Sequence, residues 1–205
     1  PGGNFASHDS SHHGKNVLFR ERSDSDLSAM RTVLLIERQR RSAPKTDDKV
    51  LTSWNGLAIT AFAKAALAFG DTRYGDAALK AGAFLRDVMF ENGTLLRSWR
   101  AGKAHLPAYL DDYAAFANAC IDLYEYTADF SWIELAQNLA EEMIGRFHNG
   151  ESGGFFSTGE EHRHLLVRTY SMHDTAEPSG NSMAYLVLLR MAAVLGEERY
   201  RSLAE

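Results

Sequence analysis

The chain has 205 residues, 45% of them hydrophobic, and a formal net charge of −5. That length and apolar fraction suffice for one large core, and the acidic balance leaves no electrostatic footprint for nucleic acid. No apolar segment reaches the roughly 18 uninterrupted residues of a membrane span, so membrane is excluded from the expected partners as well.

The opening stretch "PGGNFASHDSSHHGKNVL" lacks the charged start and apolar block of a signal peptide, and residues 1–23 read as an extended segment. His8, His12 and His13 fall there without a Cys partner or a His-x-x-x-His helix, so no metal is expected. The single cysteine, Cys120, sits in the apolar run "FANACIDLY" and reads as core packing. One cysteine allows no intrachain disulfide, which makes a reducing, cytoplasmic compartment the default. The chain does not begin with Met and ends inside an apparent helix, so it reads as a piece of a longer protein, organised as a single domain with helical hairpins over 24–205.

Taken in order, the helices are of two kinds. A first one carries Arg38, Arg40 and Arg41 beside Glu37. "SWNGLAITAFAKAALAF" (Ser53–Phe69) has one charge, Lys64, and a helix apolar nearly all round must be surrounded by protein. Tyr74–Phe90 is amphipathic, with Ala78 and Leu85 on its inner stripe and Lys80 and Asp87 off it. The alternation repeats in Tyr109–Thr127 (apolar body) and Ser131–Phe147 (amphipathic). Gly180–Leu195 is again nearly charge-free, and "EERYRSLAE" begins a further amphipathic helix.

The connectors "FGDTRY", "TADFSW" and "LGEERY" match one another, their aromatics falling at Tyr74, Trp132 and Tyr200. Periodicity on this scale signals repeated helical hairpins. The expected fold is all-α: an (α/α) toroid of helical hairpins, here a partial ring, with inner helices alternating with outer ones. The longer links contain β-prone runs, Leu95–Trp99, Gly154–Thr158 and Leu165–Tyr170, read as small β-hairpins at one end. His162 and His164 would lie at a solvated hairpin tip. Parallel inner helices bring all three of their N-termini to that same end.

The three entrances are "DDKVLTSWNG", "LPAYLDDY" and "TAEPSGNS". Thr52 or Ser53, Asp111 and Ser179 can satisfy the orphan N–H groups of the helix starts. Capping needs one residue per helix, yet Asp47 and Asp48 crowd the first entrance and Asp111 and Asp112 the second. Carboxylates with amides (Asn55, Asn181), aromatics (Trp54, Tyr109, Tyr113) and His173 around one concavity suit a polyhydroxylated small molecule. Paired carboxylates also serve glycoside hydrolysis, and Asp48 and Asp112 are expected to face one another across the mouth as acid and base. His173 and His105 each precede an inner helix, where a His can act as a general base.

Taken together, "GNF…GKNVL", "DDKVLTSWNGL", "YLDDYAAF…LYEYTADFSWIELA", "GGFFST" and "EPSGNSMA" resemble the C-terminal region of a family with an N-terminal thioredoxin-like domain, which includes the spermatogenesis-associated proteins of animals. That region is similar to six-hairpin glycosidases and N-acylglucosamine 2-epimerases. The resemblance implies an α/α toroid partnered by a thioredoxin-like domain of the same polypeptide, and no cofactor is expected. It leaves three readings. In a hydrolase, Asp48 and Asp112 do the chemistry while Trp54 stacks and Asn55 and Asn181 orient hydroxyls. In an epimerase, His173 or His105 moves a proton. In a non-catalytic module, the mouth holds a ligand for the thioredoxin-like domain.

Overall fold

The computed structural model describes residues 26–151, 153–160 and 166–205. The extended N-terminal segment with His8, His12 and His13, the tip histidines His162 and His164, and Leu165 lie outside the described residues. The chain divides into two compact units, Pro1–Asp47 and Asp48–Glu205. In the first, α1 (Ser28–Gln39) buries no residue and leaves Met30, Val33 and Leu34 exposed. Glu37 pairs with Arg40, which caps the C-terminus of α1, at 2.5 Å. Arg41 lies beyond the helix.

The second unit holds the hairpins. Three inner helices, α2 (Thr52–Phe69), α4 (Leu110–Thr127) and α6 (Gly180–Leu195), alternate with α3 (Thr72–Val88), α5 (Phe130–Phe147) and α7 (Glu198–Ala204). α4 is central: it packs on α2, α5 and α6, and it is buried from Leu110 to Leu123 apart from Asp111. Fully buried Ile59, Phe116, Ile121 and Leu188 tie the inner layer together, each contributing about 1.5–3 kcal/mol by leaving water. Leu85, Trp132, Met143 and Tyr200 supply the outer layer's share.

The matching connectors become matching turns. Gly70, Ala128 and Gly196 end the inner helices in the left-handed region, with φ of 65°, 57° and 73°. An acidic residue then caps the next helix: the Asp71 carboxylate accepts the Arg73 N–H and the Asp129 carboxylate accepts the Ser131 N–H. Glu197 occupies the third N-cap without a side-chain bond. A left-handed residue followed by an acid reverses the chain in the fewest residues.

Cross-helix contacts reproduce the sequence repeat. Ser53 meets Asp112, Thr60 meets Asn118 and Lys64 meets Asp122, each pair 58 or 59 residues apart, so α2 and α4 run parallel and in step. Gly180 starts α6 against Leu110 and Asp111, and Arg190 further along reaches Asn118, 72 residues away, and Asp122, 68 away, so α6 runs parallel to α4. Tyr74, Trp132 and Tyr200 are spaced by 58 and 68 residues. The period in the sequence is thus the distance along the chain from one inner helix to the next.

A small antiparallel sheet sits between α3 and α4. β3 (Thr94–Arg100) pairs with β1 (Val50–Leu51), β2 (Phe90–Glu91) and β4 (Lys103–Pro107). Asn92–Gly93 and Ala101–Gly102, all at positive φ, form the two-residue turns that suit a twisted hairpin. The run Leu95–Trp99 is therefore strand. The runs Gly154–Thr158 and Leu165–Tyr170 differ from expectation: among the described residues they form no strand, only an isolated bridge from His148 to Phe155. Their backbone groups find other partners. The Asn181 side-chain amide takes both the N–H and the C=O of Phe155, at 2.8 Å each, and Ser157 bonds Thr169 and Leu110. An amide doing the work of a neighbouring strand leaves no ladder to extend.

Candidate functional site

The N-terminal ends of α2, α4 and α6 meet around a cavity of about 390 Å³. Their convergence begins with close packing. A Cβ on Gly180 would lie 3.3 Å from the Asp111 nitrogen and 2.9 Å from the Leu110 side chain, so α6 starts in close contact with α4. Trp54 contributes one wall, Arg97, Tyr109 and Asp111 a second, and the loop carrying Ser171, His173, Thr175 and Glu177 a third. Ser157, Ser179 and Gly180 complete the lining.

Trp54 is 58% exposed, and its indole N–H donates to Glu177 Oε1 at 2.8 Å. That bond ties the rim of α2 to the loop and leaves the ring's apolar faces open, the arrangement on which a sugar ring stacks. Ser179 is a cap as expected: its hydroxyl accepts the Ser182 N–H, while the Asp174 carboxylate accepts from the Ser179 N–H and the Ser182 hydroxyl. These bonds hold the Asp174 carboxyl below the usual carboxylate range.

Arg97, on β3, organises the second wall. Its Nη1 lies 3.2 Å from both oxygens of Asp111 and 2.7 Å from Asp112 Oδ2, and the guanidinium sits 4.5 Å from the centre of the Tyr109 ring. Burial works against the Arg97 charge, but the two aspartates hold its pKa above the ordinary value. Asp111 keeps about a third of its side chain exposed and faces the cavity.

Asp112 is placed otherwise than the sequence suggests. Its side chain is fully buried, with Oδ1 accepting the Ser53 N–H and Oδ2 accepting the Tyr109 N–H, both at 3.0 Å. It caps α4 from the N3 position and α2 from outside. Ser53 and Thr52 therefore do not cap by side chain: the N-cap of α2 is Leu51, Thr52 donates to the Leu96 carbonyl, and Ser53 Oγ is buried without a partner. Asp111 is not the cap of α4 either, since Tyr109 holds that position. Burial, and then the Asp111 charge, push the Asp112 carboxyl up to about 6 against the pull of Arg97 and the two N–H groups.

The other expected residues disperse. Asp48 is bound to Arg100 at 2.6 Å and is not part of the cavity wall, so Asp48 and Asp112 do not face one another across the mouth. Asn55 turns back to the Leu51 carbonyl and lines a separate apolar groove with Phe84 and Trp99. Tyr113 is a core residue whose hydroxyl accepts the Leu95 N–H, and Asn181 is buried on Phe155. His105 lies exposed on β4 outside the wall, and Asp47 belongs to the first unit. The structure brings together Trp54, Tyr109, Asp111, His173 and Ser179 from the expected set, and adds Arg97 and Glu177. Glu177 was visible in "TAEPSGNS" as a carboxylate beside a helix start. Arg97 was visible only as a cation inside a β-prone run. Among the described residues no cluster of three His, Cys, Asp or Glu side chains could hold a metal ion, and no helix is long and apolar enough to cross a membrane.

No family model matches the chain. It is 33% identical over 186 residues to an uncharacterised protein of Caenorhabditis elegans, and 31% identical over 191 residues to human spermatogenesis-associated protein 20. These alignments take in 87% and 84% of this chain but about a quarter of each relative, 25% and 24%. Among solved structures, it is similar to a family 76 α-mannanase of Bacteroides thetaiotaomicron, with a TM-score of 0.64 and 19% identity over 80% of this chain and 44% of that one. A cellobiose 2-epimerase of Spirochaeta thermophila gives a TM-score of 0.62 and 15% identity over 79% of this chain and 43% of that one. An α-1,6-mannanase of a Salegentibacter species, inactivated by replacing two consecutive aspartates with asparagine and bound to α-1,6-mannotriose, gives 0.55 and 16% over 87% of this chain and 52% of that one. At these identities the structural likeness fixes the fold, an α/α toroid of the six-hairpin glycosidase and epimerase type. The chain's homologues are thus the spermatogenesis-associated protein 20 family, of whose length it represents about a quarter.

Proposed function

We propose that the mouth at the N-termini of α2, α4 and α6 binds a neutral, polyhydroxylated ligand of the carbohydrate class. The observation that carries this reading is the open indole of Trp54 beside Asp111, Arg97, His173 and a rim of hydroxyls, around a cavity of about 390 Å³. Aromatic faces take up the apolar side of a sugar ring, and carboxylate, guanidinium and hydroxyl groups take up its hydroxyls. The same fold in a mannanase and an epimerase, both sugar-active by name, supports it.

A hydrolytic role rests on Asp111, the aspartate of the Asp111–Asp112 pair that faces the cavity. The Salegentibacter mannanase, inactive without two consecutive aspartates, lends that pair weight. Glu177, the other wall carboxylate, is available as a partner once the Trp54 N–H releases it. In this arrangement Asp112 contributes by fixing Arg97, and so Asp111, from below. The second reading is a binding module without turnover, serving a thioredoxin-like domain of the same polypeptide. It is favoured by Glu177 being occupied by Trp54.

The test is calorimetry and product analysis with α-1,6-mannotriose and cellobiose on the wild type, Trp54→Ala and Asp111→Asn. Sugar binding that Trp54→Ala weakens about tenfold or more supports the site. Turnover lost in Asp111→Asn with binding retained supports hydrolysis, and binding without any turnover supports the module. No binding of either sugar refutes the proposal.

A further inference from the structure

The charges that line the mouth do not balance. Its wall carries one cation, Arg97, and two carboxylates, Asp111 and Glu177. Arg97 is already committed, with Nη1 at 2.7 Å from Asp112 Oδ2 beneath the wall and at 3.2 Å from both oxygens of Asp111. The shorter contact goes to the buried carboxylate, and one guanidinium cannot neutralise two. Among the described residues Glu177 forms no ion pair, and its Oε1 accepts from a neutral donor, the Trp54 indole N–H, at 2.8 Å. With Arg97 set against Asp112, and counting His173 as neutral, the cavity keeps the charges of both Asp111 and Glu177. The formal net charge of the whole chain, −5, has the same sign.

The same wall shows how it holds a cation. The Arg97 guanidinium sits 4.5 Å from the centre of the Tyr109 ring and against carboxylates, so an aromatic face and an acid fix it together. Trp54 and Glu177 form a second aromatic–carboxylate pair on the same cavity, one that holds no cation of the described residues. Indole is the strongest of the aromatic faces for a cation, and Trp54 is 58% exposed. Leu51, Leu110 and Pro178 make up the apolar part of the lining, and beside apolar groups a carboxylate pulls on a cation harder than it does in open water.

We infer that the mouth has an ammonium subsite at the Trp54 indole and the Glu177 carboxylate, so that it prefers a sugar carrying a basic amino group to the same sugar with a hydroxyl in its place. This rests on the reading that the mouth binds a polyhydroxylated ligand, and adds the charge that the best such ligand carries. The ammonium donates to the Glu177 oxygen that Trp54 does not use, the sugar ring covers the indole, and Asp111 supplies the second negative charge. The same two carboxylates repel a sugar acid.

The test compares three disaccharides of one linkage by calorimetry: cellobiose, its counterpart made of two glucosamine units, and the N-acetylated form of that counterpart. The pH is chosen to keep the amines protonated. The amino sugar is expected to bind about tenfold or more tightly than either neutral sugar, with a preference that shrinks as salt is added. Glu177→Gln keeps the size of the side chain and an oxygen for the Trp54 N–H, so it removes the charge and leaves the rim tied to the loop. It should lower the ratio of amino-sugar to cellobiose affinity about fivefold or more, and Asp111→Asn should lower it as well. Equal affinities in the wild type, or a preference that survives Glu177→Gln, overturn the inference. Cellobiose bound without any preference for the amine overturns it while leaving the sugar-binding reading intact, whereas no binding of any of the three removes both.

Discussion

The carboxylate of Asp112, on α4, accepts the backbone N–H of Ser53 in the first turn of α2 at 3.0 Å, so one inner helix caps its neighbour. The same carboxylate accepts the Tyr109 N–H and the Arg97 Nη1. Every hydrogen bond it makes is therefore to a donor, from three separate elements. An asparagine cannot reproduce this, because whichever way its amide is turned an NH₂ meets an N–H. Asp112→Asn is expected to cost about 2–4 kcal/mol in denaturant unfolding, the range for an orphaned buried donor and a broken buried pair. Asp111→Asn, on the half-open wall, should cost less than about 1 kcal/mol. Equal costs would show that the cap shared between helices carries no special weight.

The same burial has a pH signature. With its carboxyl pushed up to about 6 from the ordinary 3.8, folded Asp112 binds its proton more tightly than the unfolded chain does. Between about pH 4 and pH 6 the native state then holds more protons, so this group's contribution to stability falls as pH rises through that window. A carbon-detected carboxyl titration should place the Asp112 midpoint near 6. The stability of the wild type should decline relative to Asp112→Asn over the same range. A midpoint below 4 would mean that Arg97 and the two N–H donors outweigh burial.

The period of the ring was legible because repetition is a property of the sequence itself. An apolar helix with hardly a charge, such as α2 or α6, needs protein on all sides, and the Tyr74, Trp132 and Tyr200 spacing survives without any knowledge of contacts. The three entrances followed from that period, and five of the expected residues, Trp54, Tyr109, Asp111, His173 and Ser179, do line the cavity. What could not be read was orientation within each entrance. Asp111 and Asp112 are adjacent, but a helix turns about 100° between them, sending one to the cavity and the other beneath it. Asn181 and Tyr113 had the right chemistry for a ligand and spend it on Phe155 and Leu95 instead. Arg97 went unnoticed since a strand residue's partners are set by register, which only the pairing with β1, β2 and β4 fixes.

Gly56 tests the closeness of the inner layer. A Cβ there would lie 2.7 Å from the carbonyl carbon and oxygen of Ala115, backbone atoms that cannot rotate aside. By helix propensity alone, Gly56→Ala would stabilise α2 by roughly 0.5–1 kcal/mol. The structure predicts the opposite sign, a net loss of about 1–3 kcal/mol as α2 and α4 are forced apart. Thermal unfolding decides it, and a raised midpoint would show that the helices can separate freely.

Asn181 is the last discriminating position, since its two amide atoms do opposite jobs. Oδ1 accepts the Phe155 N–H, and Nδ2 donates to the carbonyls of Phe155 and Ser171. Asn181→Ala orphans those groups and should cost about 2–4 kcal/mol. It should also loosen the loop that carries His173 and Glu177, seen as faster amide exchange there. Asn181→Asp keeps the acceptor but sets a buried carboxylate against two carbonyls, so at neutral pH it should be worse than Ala. Its carboxyl would be raised by that burial, and protonation restores a donor. Stability of the Asp variant should therefore recover as pH falls toward 5, whereas the Ala variant should show no such recovery. If both variants respond to pH alike, the amide is not the clamp that holds Phe155 and the cavity loop to α6.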